Sequence, residues 1–554
     1  MKEKIYRVIN DRNFIAVFCL ISAAFAIRLI SLHFFHFIDS GGGSDSFTYA
    51  ISGKNLFSGN GLSCRGCPQI VHPPFYSILI GFVWLLTNNL ELSGQLVSVI
   101  TGALLVVPVY YLAKKMYGKK VALLSAIFIV IFPALVYGST ETFSESLYTL
   151  LLITGIALYW KALYSKNVLW MALVGLVIGL CFLTHPMGII FIPLFSVFLL
   201  FSKYLISKIT FRMILKKAII MIITFIITCS PYWIFLHKHT GEWMLSGTIT
   251  YLHSSNYITL SESKSEEEVL FKDYENPAYL MYQNTERQRV SMIPFYLSQP
   301  GELLKRCVTN LREIYFEVER LAVILWVSPL LLKGVLGIII LFLGIGIFIQ
   351  ARNRKLTIKE IYLIFLLLSA LIFLILQIEH RYFYPYIPIV ILLMTKILID
   401  IQNWLKHKLI RFNKQIANGL ICFLPIALVI AMATCSSFLI LHKKSYAPYE
   451  YKIMGEWMKE NIEDIENKTI MSRRAGVPFY ATSEWNPLYY GDYQGMIKYA
   501  KSRGIDYLII DEYTIPRLRP RYAFLLEENQ ENSGLEVIHT VIYKERKTIL
   551  YRVV

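Results

Sequence analysis

Charged residues are scarce in this chain of 554 residues. Asp, Glu, Lys and Arg make up 17% of it, whereas a soluble domain usually carries about 25%. Apolar residues reach 55%, the mean hydropathy is +0.51, and the apolar residues collect in long runs. Sparse charge between long apolar runs excludes an ordinary soluble domain and indicates a polytopic membrane protein.

Acidic residues are fewer than basic ones, with 38 Asp and Glu against 55 Lys and Arg, so the net charge is +17. In a soluble protein such an excess would suggest a nucleic-acid partner. Here the basic residues form short clusters between apolar runs, which is typical of residues that orient a membrane protein. We therefore expect no nucleic-acid partner.

Paired cysteines are almost absent. Only Cys64 and Cys67, in a glycine-rich loop, form a CxxC motif. A single CxxC motif supplies half of the ligands of a zinc site, which argues against a structural zinc. If that loop lies outside the cytoplasm, a local disulfide is the better interpretation.

Apolar runs of about the length that a helix needs to cross a bilayer, roughly 20 residues, occur eleven times. They lie near residues 14–37, 91–113, 120–138, 143–164, 168–185, 187–203, 217–236, 327–350, 358–378, 382–401 and 416–441. Inside a bilayer only a helix satisfies its own backbone, so the runs predict helices. The first run continues to about Phe37, too long for a signal peptide, and predicts an uncleaved first span.

The run 73–88 is ambiguous, and the positive-inside rule decides it. With the N-terminus inside and 73–88 not spanning, the basic clusters between spans all fall on the inner side. We therefore predict a helix that lies on or dips into the outer face, beginning after Pro73-Pro74.

This topology leaves three substantial outer segments, at about 38–90, 237–326 and 442–554. It predicts a mainly α-helical membrane domain over 1–441 and a small extracytoplasmic α/β domain over 442–554. In the second outer segment, periodicity predicts a helix from Pro300 to about Arg320. In the tail it predicts helices over 451–462 and 493–501 and strands over 505–510 and 547–553.

Two charged residues near the first span are candidates for chemistry. Asp45, just after a run of three glycines, could accept a proton from an attacking hydroxyl; it could equally cap a helix or only be solvated. Arg28 lies inside the first apolar run, where a charge needs a partner, a function or a route for its head group to the interface.

Other candidates lie at the predicted outer ends of spans. Glu141 and Glu145 share one helix face, where a carboxylate also favours a helix N-terminus. His72 and His185 precede prolines and could mark interfacial turns. His380 and Arg381 follow Glu379, and Arg381 could hold a phosphate in a bidentate manner; these residues could also anchor the interface together with nearby tyrosines.

The candidate residues share one predicted side of the membrane, and this is more informative than any single residue. Under a topology set by lysine and arginine alone, they all map to the outer rim. A catalytic site assembled at one membrane face would have this distribution.

Several segments in order resemble the C-type glycosyltransferases, which use a polyprenyl-phosphate sugar, specifically the family of protein O-mannosyltransferase-like and lipid A aminoarabinose transferase-like enzymes. The resemblance covers roughly residues 14–400. It rests on these segments: AIRLI in the first span, Asp45 with Tyr49, HPPFYSILIG from His72, YGSTETFSESLYTLLL, GLCFLTHPMG, and RYFYPYIP with Arg381 and Tyr382.

The resemblance implies that Asp45 is the catalytic base and that Glu145, or Glu141, is the acid at the start of the fourth span. It also implies that Arg381 is the arginine of the RYxxP-like segment. Ser46 stands where many members have a second acid, and His185 stands where many have arginine or lysine before proline. The acceptor and any requirement for a divalent metal ion therefore stay open, and no other cofactor is expected.

The chemistry of such a donor matches this distribution of residues. Its lipid stays in the bilayer, and its sugar lies at the interface. Its phosphate gains negative charge as the glycosidic bond breaks, so cations such as Arg381, His380 and Arg28 would stabilise the transition state. No nucleotide-binding glycine motif is present, in agreement with a lipid-linked donor. The expected partners are the polyprenyl-phosphate sugar and an acceptor protein, lipid or glycan.

Two other functions remain open. A secondary transporter would place ionisable residues near the bilayer midplane, and a non-catalytic envelope assembly protein could share the same fold.

Overall fold

The computed structural model describes residues 12–34, 37–38, 45–64, 66–205, 210–249, 300–323, 357–375, 380–409, 425–430, 432–434, 437, 447–527 and 534–554. The side chain of His380 lies outside the described part, as do the predicted span near 327–350 and most of the run 416–441. Statements below concern the described residues.

Helices make up most of the chain before residue 410. They are α1 Arg12–Phe34, α2 Asp45–Phe57, α3 Phe75–Thr87, α4 Leu90–Leu104, α5 Val106–Tyr117, α6 Lys119–Ile131, α7 Pro133–Gly138, α8 Glu145–Tyr164, α9 Leu169–Phe182, α10 Phe191–Leu205, α11 Phe211–Thr240, α12 Pro300–Val323, α13 Ile358–Leu367 and α14 Ile387–Leu409. Short 3₁₀ helices cover Pro186–Ile190, Leu368–Leu374 and His380–Tyr386. The helix predicted from Pro300 is confirmed.

Six helical stretches among the described residues are long and apolar enough to cross a membrane. They are Asn13–His33, Leu90–Tyr117, Glu145–Tyr164, Pro186–Tyr204, Phe211–Thr240 and Arg381–Trp404. Helix α11 exposes large apolar side chains along its length, such as Ile219, Ile223 and Ile227, which in water would be an aggregation-prone surface. The chain is therefore a multi-pass membrane protein. The count of eleven spans remains a prediction.

Two predicted runs are interrupted. The run 120–138 divides into α6 and α7 at Phe132, whose backbone is extended because Pro133 follows. The run 358–378 begins as α13 and continues as a 3₁₀ helix from Leu368 to Leu374.

The ambiguous run 73–88 forms α3, which has 13 residues. This is well below the roughly 20 residues that a spanning helix needs. The helix packs against α2 with almost no space between the two backbones. A Cβ atom added to Gly81 would lie 2.3 Å from the carbonyl oxygen of Gly53. Glycine at both positions allows the two helices to touch.

The C-terminal part contains a five-stranded mixed sheet. Its strands are β3 Thr469–Ser472, β4 Glu484–Pro487, β5 Tyr507–Asp511, β6 Leu535–Tyr543 and β7 Arg546–Val553. A separate hairpin of β1 Ser63–Cys64 and β2 Cys67–Pro68 lies between α2 and α3. The order is β4-β3-β5-β7-β6; β3 pairs in parallel with β4 and β5, and the β5–β7 and β7–β6 pairs are antiparallel. In the hairpin, Cys64 lies opposite Cys67.

Helices cover both faces of this sheet. They are α15 Tyr449–Asn461, α16 Gly476–Ala481, α17 Tyr493–Ser502 and α18 Ile515–Leu518, with 3₁₀ helices at Ile465–Asn467 and Pro520–Leu526. On β5, Tyr507 and Ile509 pack on the α15 side, whereas Leu508 and Ile510 pack on the α17 side. Successive side chains of β5 point to opposite faces of the sheet, and both faces are buried, so the sequence of β5 is a continuous apolar run. The four elements predicted in the tail are confirmed.

The C-terminal part packs against the helices near α2. The Phe47 and Phe479 rings lie 5.0 Å apart, and the hydroxyl of Tyr480 accepts a hydrogen bond of 3.2 Å from the backbone N–H of Ile38. Lys452 on α15 forms an ion pair with Glu91 on α4, with 2.8 Å between Nζ and Oε2. The sheet is thereby held beside the helix that begins at Asp45.

Candidate active site

Asp45 is the first residue of α2, where its carboxylate also suits the positive end of the helix dipole. The carboxylate also forms an ion pair with Arg381. Arg381 donates a hydrogen bond from Nη2 to Oδ2 of Asp45 at 2.9 Å. The Asp45 side chain stays about one-third exposed, at 31%. Asp45 therefore combines a fixed orientation with access from outside.

Arg381 lies in the 3₁₀ helix that leads into α14, and two carboxylates hold it. Besides its bond to Asp45, its Nε lies 3.4 Å from Oε1 of Glu145 at the start of α8. The guanidinium carbon lies 4.7 Å from the centre of the Phe143 ring, so an aromatic face also contacts the cation. The pair of Asp45 and Glu145 offers more negative charge than one arginine neutralises.

His72 and Tyr49 complete the surroundings of Asp45. The Nε2 atom of His72 lies 3.7 Å from Oδ1 of Asp45, on the side of the carboxylate that Arg381 does not use. The Tyr49 ring packs 4.8 Å from that of His72, and its hydroxyl lies 3.4 Å from Oγ of Ser144. Segments far apart in the sequence thus meet at one carboxylate.

The electrostatic balance at Asp45 favours the ionised form. Burial alone would raise the pKa of this carboxyl, but the charges of Arg381 and His72, together with the hydrogen bond from Arg381, lower the pKa below its ordinary value. Asp45 is therefore a carboxylate across the physiological pH range.

An aromatic cavity opens beside the salt bridge. Its lining residues are Glu145, Tyr148, His185, Met187, Phe373, Arg381, Tyr382, Pro385 and Tyr386. The His185 ring packs between those of Tyr148 and Tyr382, at centroid distances of 5.0 and 5.7 Å. Aromatic rings thus line this small cavity together with the charged groups of Glu145 and Arg381.

Arg28 and Glu141 lie apart from this salt bridge. The Arg28 side chain is fully buried, and Nη1 donates to the carbonyl oxygens of Ala24 and Val130 at 3.1 and 3.3 Å. It lines a second cavity, which shares Glu145 with the first. Glu141 accepts a hydrogen bond from the hydroxyl of Tyr137. Backbone carbonyls, rather than a route to the interface, accommodate the Arg28 charge.

Most of the candidate residues meet in one place. Asp45, Tyr49, His72, Glu145 and Arg381 are in contact or one residue removed, and His185 and Tyr382 line the adjoining cavity. Sequence reasoning missed Tyr148, although it lies one helical turn after Glu145 on α8. It also missed Phe143 and Phe373, because an apolar residue within an apolar run does not stand out from its neighbours. Within the described residues, no group of three His, Cys, Asp or Glu side chains could hold a metal ion.

Comparison with protein families finds one match. Residues 71–235 match the family described as dolichyl-phosphate-mannose-protein mannosyltransferase. The matched region contains His72, Glu141, Glu145 and His185 but neither Asp45 nor Arg381. Comparison with the curated proteins finds no match.

Solved structures extend the likeness to nearly the whole chain. ArnT from Cupriavidus metallidurans, bound to undecaprenyl phosphate, has a TM-score of 0.58 at 11% identity, covering 96% of this chain and 97% of its own. The archaeal oligosaccharyltransferase AglB from Archaeoglobus fulgidus, in complex with an inhibitory peptide and a dolichol-phosphate, has a TM-score of 0.52 at 12% identity, covering 89% of this chain and 69% of its own. At these identities the likeness shows the fold. The resemblance to the C-type glycosyltransferases is thus confirmed, by a family match over residues 71–235 and by an ArnT-like fold over nearly the whole chain.

Proposed function

We propose that this protein is an inverting glycosyltransferase that moves a sugar from a polyprenyl-phosphate donor to an acceptor hydroxyl, or a related group, at the outer face of the membrane. The observation that carries the proposal is the position of Arg381. It is held between Asp45 and Glu145 at the mouth of a cavity lined with aromatic rings. Asp45 as the base, Arg381 as the phosphate-binding cation and the aromatic rings that contact sugar and lipid therefore lie close together.

In the proposed reaction, the acceptor oxygen attacks the anomeric carbon of the donor sugar. The bond from that carbon to the phosphate oxygen breaks, and the bond electrons leave with the polyprenyl phosphate. The acceptor proton passes to the Asp45 carboxylate. Because one displacement forms the product, the configuration at the anomeric carbon is inverted.

Arg381 stabilises the charge that the phosphate gains as it leaves, since a guanidinium binds phosphate oxygens in a bidentate manner. The same guanidinium keeps the pKa of Asp45 low, which makes the carboxylate a weak proton acceptor. When a phosphate accepts hydrogen bonds from Arg381, the guanidinium lowers the pKa of Asp45 less. Donor binding therefore raises the basicity of Asp45 at the moment when a base is needed.

The aromatic cavity supplies the site for the sugar and the first part of the lipid. Tyr148 and Tyr382 offer ring faces and hydroxyl groups, and His185 lies between them. The neighbouring carboxylate of Glu145 can accept hydrogen bonds from sugar hydroxyls while it holds Arg381.

The proposal includes the arrangement of the chain in the membrane. The N-terminus lies inside, residues 1–441 form the membrane domain, and residues 442–554 form an extracytoplasmic α/β domain of the cell membrane protein. The basic clusters between apolar runs support this orientation.

A reconstituted assay tests the function. The full chain in proteoliposomes is given polyprenyl-phosphate sugars of several kinds together with envelope lipids and proteins, and mass spectrometry detects sugar transfer. Comparison of envelope lipids and proteins from cells with and without the protein identifies the natural product. Transfer that persists undiminished in the Asp45→Asn variant would show that this site is not catalytic.

A further inference from the structure

The C-terminal sheet directs one end of its parallel strands toward Asp45. Strand β3 ends at Ser472 and is followed by Arg473, Arg474 and Ala475. Ala475 is buried in one apolar cluster with Phe47 and Tyr49 of α2. The carboxyl ends of parallel strands are where α/β sheets commonly bind ligands. Here that end abuts the helix that begins with Asp45.

Arg474 reaches groups on both sides of this contact. Its positive charge acts on the carboxylate of Asp45 in α2 and on that of Asp511, the last residue of β5. The Nε atom of Arg474 is buried and has no hydrogen-bond partner among the described residues. A buried guanidinium N–H without an acceptor is costly, and an oxygen of a bound ligand would offset that cost.

The charges around Asp45 explain why binding of a phosphate would need a second arginine such as Arg474. Asp45 and Glu145 bring two carboxylates, and Arg381 forms an ion pair with each of them. A lipid-linked phosphate that entered this group would meet a surplus of negative charge. Of the cations whose charge reaches Asp45, namely Arg381, His72 and Arg474, only Arg474 comes from the C-terminal part of the chain.

The contact does not depend on Arg474 itself. The Lys452–Glu91 ion pair, the Phe47–Phe479 ring contact and the hydrogen bond from Ile38 to Tyr480 hold the sheet in place. The Ser472–Ala475 segment lies directly before α16, which contains Phe479 and Tyr480, so the fold positions the arginine before a ligand arrives.

We infer that the C-terminal α/β part completes the donor site by supplying Arg474, which binds the phosphate of the polyprenyl-phosphate sugar opposite Arg381. This inference rests on the proposed function and adds a binding role for the C-terminal part. It assigns Arg474 to binding of the phosphate and leaves proton transfer to Asp45.

Binding measurements on the purified full chain test the inference. The probes are undecaprenyl phosphate and undecaprenol, which differ only in the phosphate, and native mass spectrometry measures binding of each. We expect Arg474→Gln to weaken binding of undecaprenyl phosphate about tenfold, the loss of one charge-assisted contact. Binding of undecaprenol should not change. Arg474→Lys should keep most of the preference for the phosphate.

Arg552→Gln is the matched control, because Arg552 is an exposed arginine of the same sheet, paired only with the exposed Glu536 in the described structure. It should bind both lipids as the wild type does. Equal affinity of Arg474→Gln and wild type for undecaprenyl phosphate overturns the inference. So does an equal fall for both lipids in the Gln and Lys variants, which indicates damaged packing. If the wild type itself does not prefer the phosphate, the proposed function fails, which is a different result.

Discussion

Nη2 of Arg381 lies 2.9 Å from Oδ2 of Asp45, although 336 positions separate the two residues in the chain. Asp45 begins a short helix after the first span, and Arg381 lies just before α14. The contact fixes where these two regions of the bundle meet. It also places a carboxylate and a guanidinium within one site.

Replacement of Asp45 by Asn should abolish transfer while donor binding persists. Asparagine keeps the shape of the side chain but cannot accept the proton, and loss of a general base costs about 10²–10⁴-fold in rate. Turnover in proteoliposomes and binding of undecaprenyl phosphate by the same preparation are the two measurements. Binding should be equal or tighter, because a negative charge has been removed beside the phosphate.

Asp464→Asn is the control for that substitution. Asp464 is exposed in the C-terminal part and has a φ of 55°, a conformation that asparagine also adopts readily. Both activities should match those of the wild type. If Asp45→Asn were no slower than Asp464→Asn, Asp45 would not be the base.

Replacement of Arg381 by Gln should raise the pKa of Asp45, because it removes a neighbouring opposite charge. Burial already acts to raise this pKa, and Arg381 is the foremost group that lowers it. The carboxyl should therefore become protonated at a higher pH than in the wild type. Carbodiimide labels the protonated form, so mass spectrometry of the Asp45 peptide across pH gives the midpoint without requiring activity.

Arg381→Lys should leave that labelling midpoint closer to the wild-type value, because it keeps the charge. Identical midpoints for all three proteins would mean that Arg381 does not control the ionisation of Asp45.

The sequence predicted those parts of the structure that depend on local pattern. The helices from Pro300 and Tyr449 and the strand through Ile509 follow from periodicity and burial. Charge bias predicted that Glu145, Arg381 and Asp45 lie on the same side of the membrane, but it gives no distance between them. Strands β3 and β4 went unpredicted because each has four residues, too few to show alternation.

Contacts between the C-terminal part and the helices before it could not be predicted from the sequence pattern. The segment Ser472–Ala475 carries no motif, and only packing of Ala475 against Phe47 shows that it adjoins the site. Arg28 likewise donates hydrogen bonds to the backbone carbonyls of Ile129 and Val130 on another helix, and a backbone carbonyl cannot be recognised from the type of its residue.

Replacement of Gly81 by Ala should destabilise the protein by roughly 1–3 kcal/mol, the usual cost of overpacking. The added Cβ would lie 2.3 Å from the backbone oxygen of Gly53 and cannot be accommodated without separating α2 from α3. Because Asp45 begins α2, transfer activity should fall as well. Thermal unfolding and turnover measure the two effects.

Gly301→Ala serves as its control, since an added Cβ there meets no atom within 4 Å. It should be neutral or slightly stabilising, as alanine favours a helix. Equal midpoints for both variants would contradict the close packing of α2 on α3.

The buried carboxyl of Glu450 should make stability depend on pH. Burial raises the pKa of Glu450 from 4.5 to about 7, and the nearby Arg546 offsets only part of this rise. Between these values the folded protein binds more protons than the unfolded chain, so the free energy of unfolding falls as pH rises and the loss is complete above about 7. Glu450→Gln does not titrate. Its thermal midpoint should therefore improve relative to the wild type as pH rises from 4.5 to 7, and a constant difference would refute the raised pKa.

The ion pair between Lys452 and Glu91 should be coupled to catalysis, because it fixes the C-terminal part beside Asp45. Its atoms are 2.8 Å apart, and both side chains are largely buried, at 22% and 12% exposure. Loss of either partner leaves the other charge in this environment, so Lys452→Gln and Glu91→Gln should each lower donor affinity and the thermal midpoint.

A double-mutant cycle separates the ion pair from other effects of these residues. If the pair acts as a unit, the double variant should lose less than the sum of the single losses, with a coupling of about 0.5–3 kcal/mol. The exchanged pair, Lys452→Glu with Glu91→Lys, should recover part of the donor affinity. Additive losses without recovery would show that the two charges act independently, and that the apolar contact of Phe47 with Phe479 holds the sheet against α2 without their help.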